Sequence, residues 1–342
     1  MKKILIPVII VVVIIAAFLV HSMRKEAPPA SDPSSSGGQP QAAKSPDTDN
    51  PDTDSGADED DDSDYSSSET KSLAETYKDS AEALEAVKSG AKEYDDMVLE
   101  HFNRPGADCT WCPEFYKTLT ERMLSPEATD DEQSYYGEIL AISGRVENIS
   151  TLVDAIKNAP SQEVADRFSE ALELTIGDEK VISYLGTQLR SSENEDLKES
   201  LVAALTNHGS RSAIETLYSY TQESGTADGF YSLGIGLGEV IPDRDSLPLL
   251  AEYLSKNDNR SPLALKALFN SGSEGFEIGM NYLTNVKDPE TLDRLIKDAK
   301  DHVSCDKENE VSAQKVANNP NNPPQLIDLA KQVLSSCSSE EE

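Results

Sequence analysis

Ile214-Glu-Thr-Leu-Tyr218, Leu247-Pro-Leu-Leu-Ala-Glu-Tyr-Leu254 and Phe276-Glu-Ile-Gly-Met-Asn-Tyr-Leu283 open three related stretches of this chain. Two more stand upstream, Leu152-Val-Asp-Ala-Ile156 and Val181-Ile-Ser-Tyr-Leu185. The five starts lie 29, 33, 33 and 29 residues apart, and Tyr253-Leu254 and Tyr282-Leu283 share one register. A recurrence of about 30 residues marks a stack of like units, each too small to cover its own apolar face.

Each opening stretch is followed by a second apolar-periodic segment, at 162–176, 195–207, 228–240, 262–270 and 290–298. Breaks fall at matching places: Gly177-Asp178, Gly209-Ser210, Pro242-Asp243 and Gly272-Ser273. Glycine past a helix end, then Asp or Ser before the next, is what a helix stop and an N-cap require. Ser261-Pro262 and Asp288-Pro289 add a cap followed by proline in the first turn. The spacing therefore predicts helix pairs joined by short turns, and an all-α fold.

Over Asn148–Asp301 this pattern of paired helices and breaks resembles HEAT-like repeats of the short variety, near 30 residues. The resemblance implies an α-solenoid whose groove holds another protein. The Val-Arg frequent in that family's second helix is absent. Tetratricopeptide repeats are the runner-up, and their Trp, Gly-Tyr and Pro signature is missing too. Upstream, 71–147 reads as a helical N-terminal subdomain: Leu73, Tyr77, Ala81, Leu84 and Val87 recur at spacings of three and four, and Asn103-Arg-Pro-Gly106 is a turn. Downstream, 302–342 reads as a loop through Asn322, then an amphipathic capping helix from Gln325 and an acidic tail.

At the other end, Ile4 to Val20 is apolar throughout, broken only by Pro7. With its flanks it supplies the roughly 20 residues a helix needs to cross a bilayer. Lys2, Lys3, Arg24 and Lys25 bracket it and reach the headgroups. A signal-peptide core is shorter, and Val20-His21-Ser22 is the only passable cleavage triplet, so 1–25 reads as a retained signal-anchor ahead of a cleaved leader. With the basic pair before the span, the N-terminus is expected in the cytoplasm and the body outside it, periplasmic or extracellular.

From 26 to 70 there is almost nothing to bury: Pro, Ser, Gly, Asp and Glu dominate and Lys44 is the lone cation after Lys25. Such a segment cannot repay its ordering entropy and is expected to be a disordered, charge-extended linker. Asp47, Asp49, Asp52 and Asp54 place oxygen ligands near the alternation calcium favours. The loop glycine is misplaced for an EF-hand and no bidentate Glu closes it. The run reads first as a solvated charge run, with those four aspartates as weak calcium candidates.

The net charge of −33 excludes nucleic acid, whose phosphates need Lys and Arg, and disfavours anionic lipid surfaces. It favours cationic partners. One Trp and seven Phe indicate a thin core.

Four cysteines, Cys109, Cys112, Cys305 and Cys337, suit disulfides in an exported chain, and proximity favours Cys109–Cys112 and Cys305–Cys337. Cys109-Thr-Trp-Cys112 is the sharpest local motif. Asp108 or Thr110 would cap a helix through Phe115, Tyr116, Leu119 and Met123, a turn superficially similar to the thioredoxin active site. No strand precedes it and no βαβ pattern surrounds it. It reads first as a structural disulfide with Trp111 as a core anchor, then as a redox pair, then as a metal site. For zinc, His101 would be a third ligand with no fourth in place. A haem link would need His where Pro113 stands.

Gly234-Ile-Gly236-Leu-Gly238 has no strand before it and no Lys-Ser/Thr after it, so it reads as close packing within a repeat helix. His21, His101, His208 and His302 show no paired metal spacing. No catalytic constellation and no cofactor are expected. The function expected is a membrane-tethered scaffold for a protein partner; the alternatives are a thiol-disulfide redox protein and a calcium-sensitive tether.

Overall fold

Leu152, Val181, Ile214, Leu247 and Phe276, the residues that open the five stretches, are all buried in a computed structural model of the chain, each on its own helix. The structure describes residues 72–103, 109–223, 236–300 and 307–338. The span Ile4–Val20, the linker with Asp47, Asp49, Asp52 and Asp54, Gly234, Cys305 and the side chain of Cys337 lie outside the described residues. Among the described residues there are sixteen α-helices, one short 3-10 helix and no strand. None of those helices is long and apolar enough to cross a membrane. All belong to the unit Lys71–Glu342.

Six helices form a first row: α6 (Val146–Lys157), α8 (Glu179–Ser191), α10 (Arg211–Glu223), α11 (Leu247–Ser255), α13 (Gly272–Asn285) and α15 (Lys307–Ala317). A second row is made by α5 (Asp130–Ile142), α7 (Gln162–Glu173), α9 (Glu195–His208), α12 (Ser261–Phe269), α14 (Pro289–Ala299) and α16 (Pro324–Ser338). In the first row α6, α8 and α10 touch in turn, as do α11, α13 and α15; in the second, α5, α7 and α9, then α12, α14 and α16. The sequence partners α6 and α7, α8 and α9, α11 and α12, and α15 and α16 also pack across the two rows. The core lies between the rows, where leucine and valine side chains contribute about 1.5–3 kcal/mol each on full burial. This all-α arrangement is compatible with a helical repeat.

Capping fixes where the helices begin. Asp178 accepts from Lys180 N–H at 2.9 Å, Asn194 from Leu197 at 3.0 Å and Asp288 from Thr291 at 3.0 Å. Thr129 and Glu132 form a reciprocal capping box at the start of α5. Gly209 ends α9 in the left-handed conformation, φ +63°.

Two expectations need correction. The segment 228–240 is not helical at its described end: Gly236 has φ +150°, and Glu239 N–H bonds back to Gly236 O at 2.8 Å in a turn. Glycines at 234, 236 and 238 each weaken a helix by about 1 kcal/mol, and Pro242 follows. The turn nevertheless takes the place of a second-row helix. Leu237 and Val240 are buried, Asn270 donates to Gly238 O, and the buried Lys266 pairs with Glu239. The other correction is α15, which occupies part of the stretch read as a loop. Its apolar signal is thin: Ala313 and Val316 are buried whereas Val311 is 69 % exposed.

Before the rows come α1 (Leu73–Thr76), α2 (Ser80–Glu93), α3 (Asp96–Phe102) and α4 (Cys112–Met123). Their core is an aromatic stack: Tyr77 on Phe102, Phe102 on Phe115 at 5.0 Å, and Trp111 edge-on to Phe115.

Between the third and fourth pairs, Tyr218 of α10 stacks on Tyr253 of α11 at 3.5 Å, with the Arg260 guanidinium 3.8 Å from the Tyr218 centroid. Arg260 also donates to Tyr218 O at 3.2 Å and to the Asp258 carboxylate. Replacing Arg260 with alanine removes the guanidinium from the Tyr218 carbonyl and from the Asp258 carboxylate, which keeps its bonds from Tyr218 Oη and the residue-260 N–H. The expected loss is about 2–4 kcal/mol, read as a lower urea midpoint; an unchanged midpoint would show that the clamp carries no stability.

Candidate binding face and the Cys109–Cys112 turn

The turn leading into α4 holds Cys109 and Cys112, which are joined by a disulfide. Cys112 is the first residue of α4 and fully buried, whereas Cys109 is half-buried. Cys112 N–H donates to Cys109 O at 3.1 Å. Trp111, half-buried, packs edge-on to Phe115. His101 Nδ1 is hydrogen-bonded to Tyr77 Oη at 2.7 Å, and the two cysteine sulfurs are bonded to each other rather than held as free metal ligands. Among the described residues no group of three or more His, Cys, Asp or Glu side chains is placed to hold a metal ion. His208 is buried at the end of α9, its Nε2 2.9 Å from Gly177 O.

The second row brings together carboxylates that are far apart in sequence. Glu138 on α5 accepts a hydrogen bond from Tyr94 Oη, and Asp96 and Glu170 lie near enough to act on its charge. Burial, reinforced by those two carboxylates, pushes the Glu138 carboxyl up to about 7 despite the Tyr94 hydrogen bond. On α7, Glu173 is pushed up to about 7 by burial together with Glu170 and Glu199. Glu170 is itself raised, by burial and by Asp166, with Arg167 opposing. The series Asp96, Glu138, Glu170, Glu173, Glu199 thus runs from the start of α3 across α5, α7 and α9 as one acidic face. The part-buried Arg167 on α7 pairs with Asp130 at 2.7 Å and bonds Gln133.

Several hydrogen bonds between successive pairs span 31–34 residues, while others span 27 to 42. Arg167 reaches Gln133, Gln162 reaches Asp196 at 3.3 Å, and Asn207 donates to Glu173 O at 3.0 Å, each across 34 residues. Lys157 donates to Gln188 across 31, and Asn270 to Gly238 O across 32. In the last pair Gln332 donates to Lys300 O, again across 32. Asn207, Asn270 and Gln332 do the same work in different repeats: each reaches from a second-row helix, or from the residue just past its end, to the end of the preceding second-row element. Asn207 and Asn270 share the motif Asn-x-Gly-Ser, a signal that composition and hydrophobic period do not reveal.

No protein family matches this sequence, and no curated protein is detectably similar to it. The chemistry of the face is therefore the available guide to what it does.

Proposed function

We propose that this chain is a membrane-tethered, extracytoplasmic scaffold of short HEAT-like repeats, whose α5–α7–α9 face holds a basic segment of a partner protein. The observation that carries the reading is the set of cross-repeat hydrogen bonds at 31–34 residues, because they link equivalent positions of successive helix pairs. Short HEAT-like repeats place successive units at that distance, and such stacks act by surface contact. The acidic face sets the partner's chemistry. Carboxyls held part-buried beside other carboxylates cost stability, which a binding face tolerates and a merely solvated face avoids. The span Ile4–Val20 and the linker 26–70 support placement of that face away from a bilayer.

The test uses the full chain and an amphipathic Lys/Arg-rich peptide as probe. Joint replacement of Glu138, Glu170, Glu173 and Glu199 by glutamine is expected to weaken binding about tenfold or more at low salt. Neutralising Glu147, Asp154, Glu179 and Glu193, four exposed acids off that face, is expected to change it less than about twofold, since only non-local charge is altered. Equal losses in the two variants would mean that the probe senses net charge alone, and the face would lose its assignment.

A further inference from the structure

A disulfide that acts as a staple constrains the unfolded chain most when it closes a long loop. Cys109 and Cys112 stand 3 positions apart in sequence, and the turn between them is already closed by the Cys112 N–H to Cys109 O hydrogen bond. Their helix needs no such help: α4 is anchored by Phe115, Tyr116, Leu119 and Met123, all buried, and by the stack of Phe115 on Phe102. As a cross-link this bond therefore does close to the least a disulfide can do. Its two sulfurs are also unlike. Cys109 is half-buried at the edge of the core, while Cys112 is sealed in the core as the first residue of α4, a helix whose N-terminus no side chain caps.

That asymmetry is the arrangement thiol exchange needs. We propose that Cys109–Cys112 is a thiol–disulfide exchange site, with Cys109 the sulfur attacked by an external thiol and Cys112 the leaving and resolving thiolate. An incoming thiolate attacks Cys109 Sγ. The bond between the two protein sulfurs breaks, its electron pair departs on Cys112 Sγ, and a mixed disulfide forms between the external sulfur and Cys109. Attack by Cys112 on Cys109 reverses the step and expels the external thiolate. Alternatively, a second external thiolate attacks the external sulfur, giving an external disulfide and leaving Cys109 reduced. Two electrons then pass from two thiols to the protein. The dipole at a helix start stabilises a departing thiolate, and a better leaving group speeds exchange. Pro113 in the first turn keeps that start fixed. This site is independent of the acidic face: it lies on the turn before α4, and it needs no partner bound there.

The experiment compares glutathione attack on the oxidised full-length protein in buffer and in urea, quenching with acid and mapping mixed disulfides by peptide mass spectrometry. Mapping separates Cys109 and Cys112 from Cys305 and Cys337. Attack is expected at Cys109 alone, about tenfold faster in the folded protein than in the unfolded one. A native rate at or below the unfolded rate, or adduct chiefly on Cys112, would overturn the proposal and leave a shielded structural bond. The variant Cys112→Ser is expected to hold the glutathione adduct on Cys109 as a stable species, with no resolving thiolate to release it. Prompt loss of that adduct from a folded Cys112→Ser protein counts against the proposal as well. Because the rate comparison uses the wild-type chain, it decides the matter even if the variant does not fold.

Discussion

Replacing Gly209 with alanine is expected to cost about 3 kcal/mol or more of unfolding free energy, while Gly272→Ala costs about 1 kcal/mol. Both glycines hold a left-handed backbone, φ +63° and +73°. That conformation alone costs a residue with a Cβ about 1 kcal/mol. The surroundings separate them. A Cβ on Gly209 would stand 2.1 Å from Ile241 O, a backbone atom, whereas one on Gly272 meets nothing within 4 Å. Ile241 cannot swing away cheaply, because Asp243 N–H donates to Gly209 O at 2.9 Å and ties the two strands of chain together. Urea midpoints of the two variants, measured side by side, isolate the collision from the shared conformational strain. Equal midpoints would show that the turn from Pro242 relaxes freely and that the third pair is held less tightly than its hydrogen bonds indicate.

The same two glycines show how far the sequence could be read. Gly209-Ser210 and Gly272-Ser273 look alike as breaks, and both do carry positive φ. Only the fold tells which one is pressed against a neighbour. The repeat itself was legible because it is a pattern of burial: an apolar residue returning every 29–33 positions had to face something, and each one is in the core. Two parts were not. The turn at 236–240 keeps Leu237 and Val240 buried, so its apolar period resembles a helix although its glycines disfavour one. The helix α15 offers so few buried apolar side chains that a polar loop was the simpler reading. The acidic face could not have been picked from 63 Asp and Glu residues by composition. Glu138 and Glu170 become neighbours only once α5 is laid on α7. The Asn-x-Gly-Ser match at 207 and 270 was within reach, because both asparagines stand two residues before breaks that already align.

Between about pH 5 and pH 8 the folded unit is expected to lose stability as pH rises, and most of the loss should disappear when Glu138 and Glu173 become glutamine. Both carboxyls are raised to about 7 in the fold, from an ordinary value of 4.5. In that window the native state holds protons that the unfolded chain has released. Raising the pH therefore favours the unfolded chain, and the contribution is flat above about 8 and below about 4. For part-buried groups the cost at high pH is about 2 kcal/mol each, after allowing for solvent screening. The double variant Glu138→Gln, Glu173→Gln should thus be more stable than wild type at pH 8 and no more stable at pH 5. The general repulsion of a −33 chain has the same sign, so a control is required: Glu147→Gln with Glu179→Gln removes equal charge and should leave the slope. Parallel profiles for all three proteins would mean that no local site stores the strain. If the slope does reside in those two carboxyls, linkage carries it to the interface. A cationic segment docked on α5, α7 and α9 favours their charged form, so its binding must release protons. Affinity then tightens from pH 5 to pH 8 over the same interval in which the unbound fold weakens, and the partner returns stability that the empty face gives up.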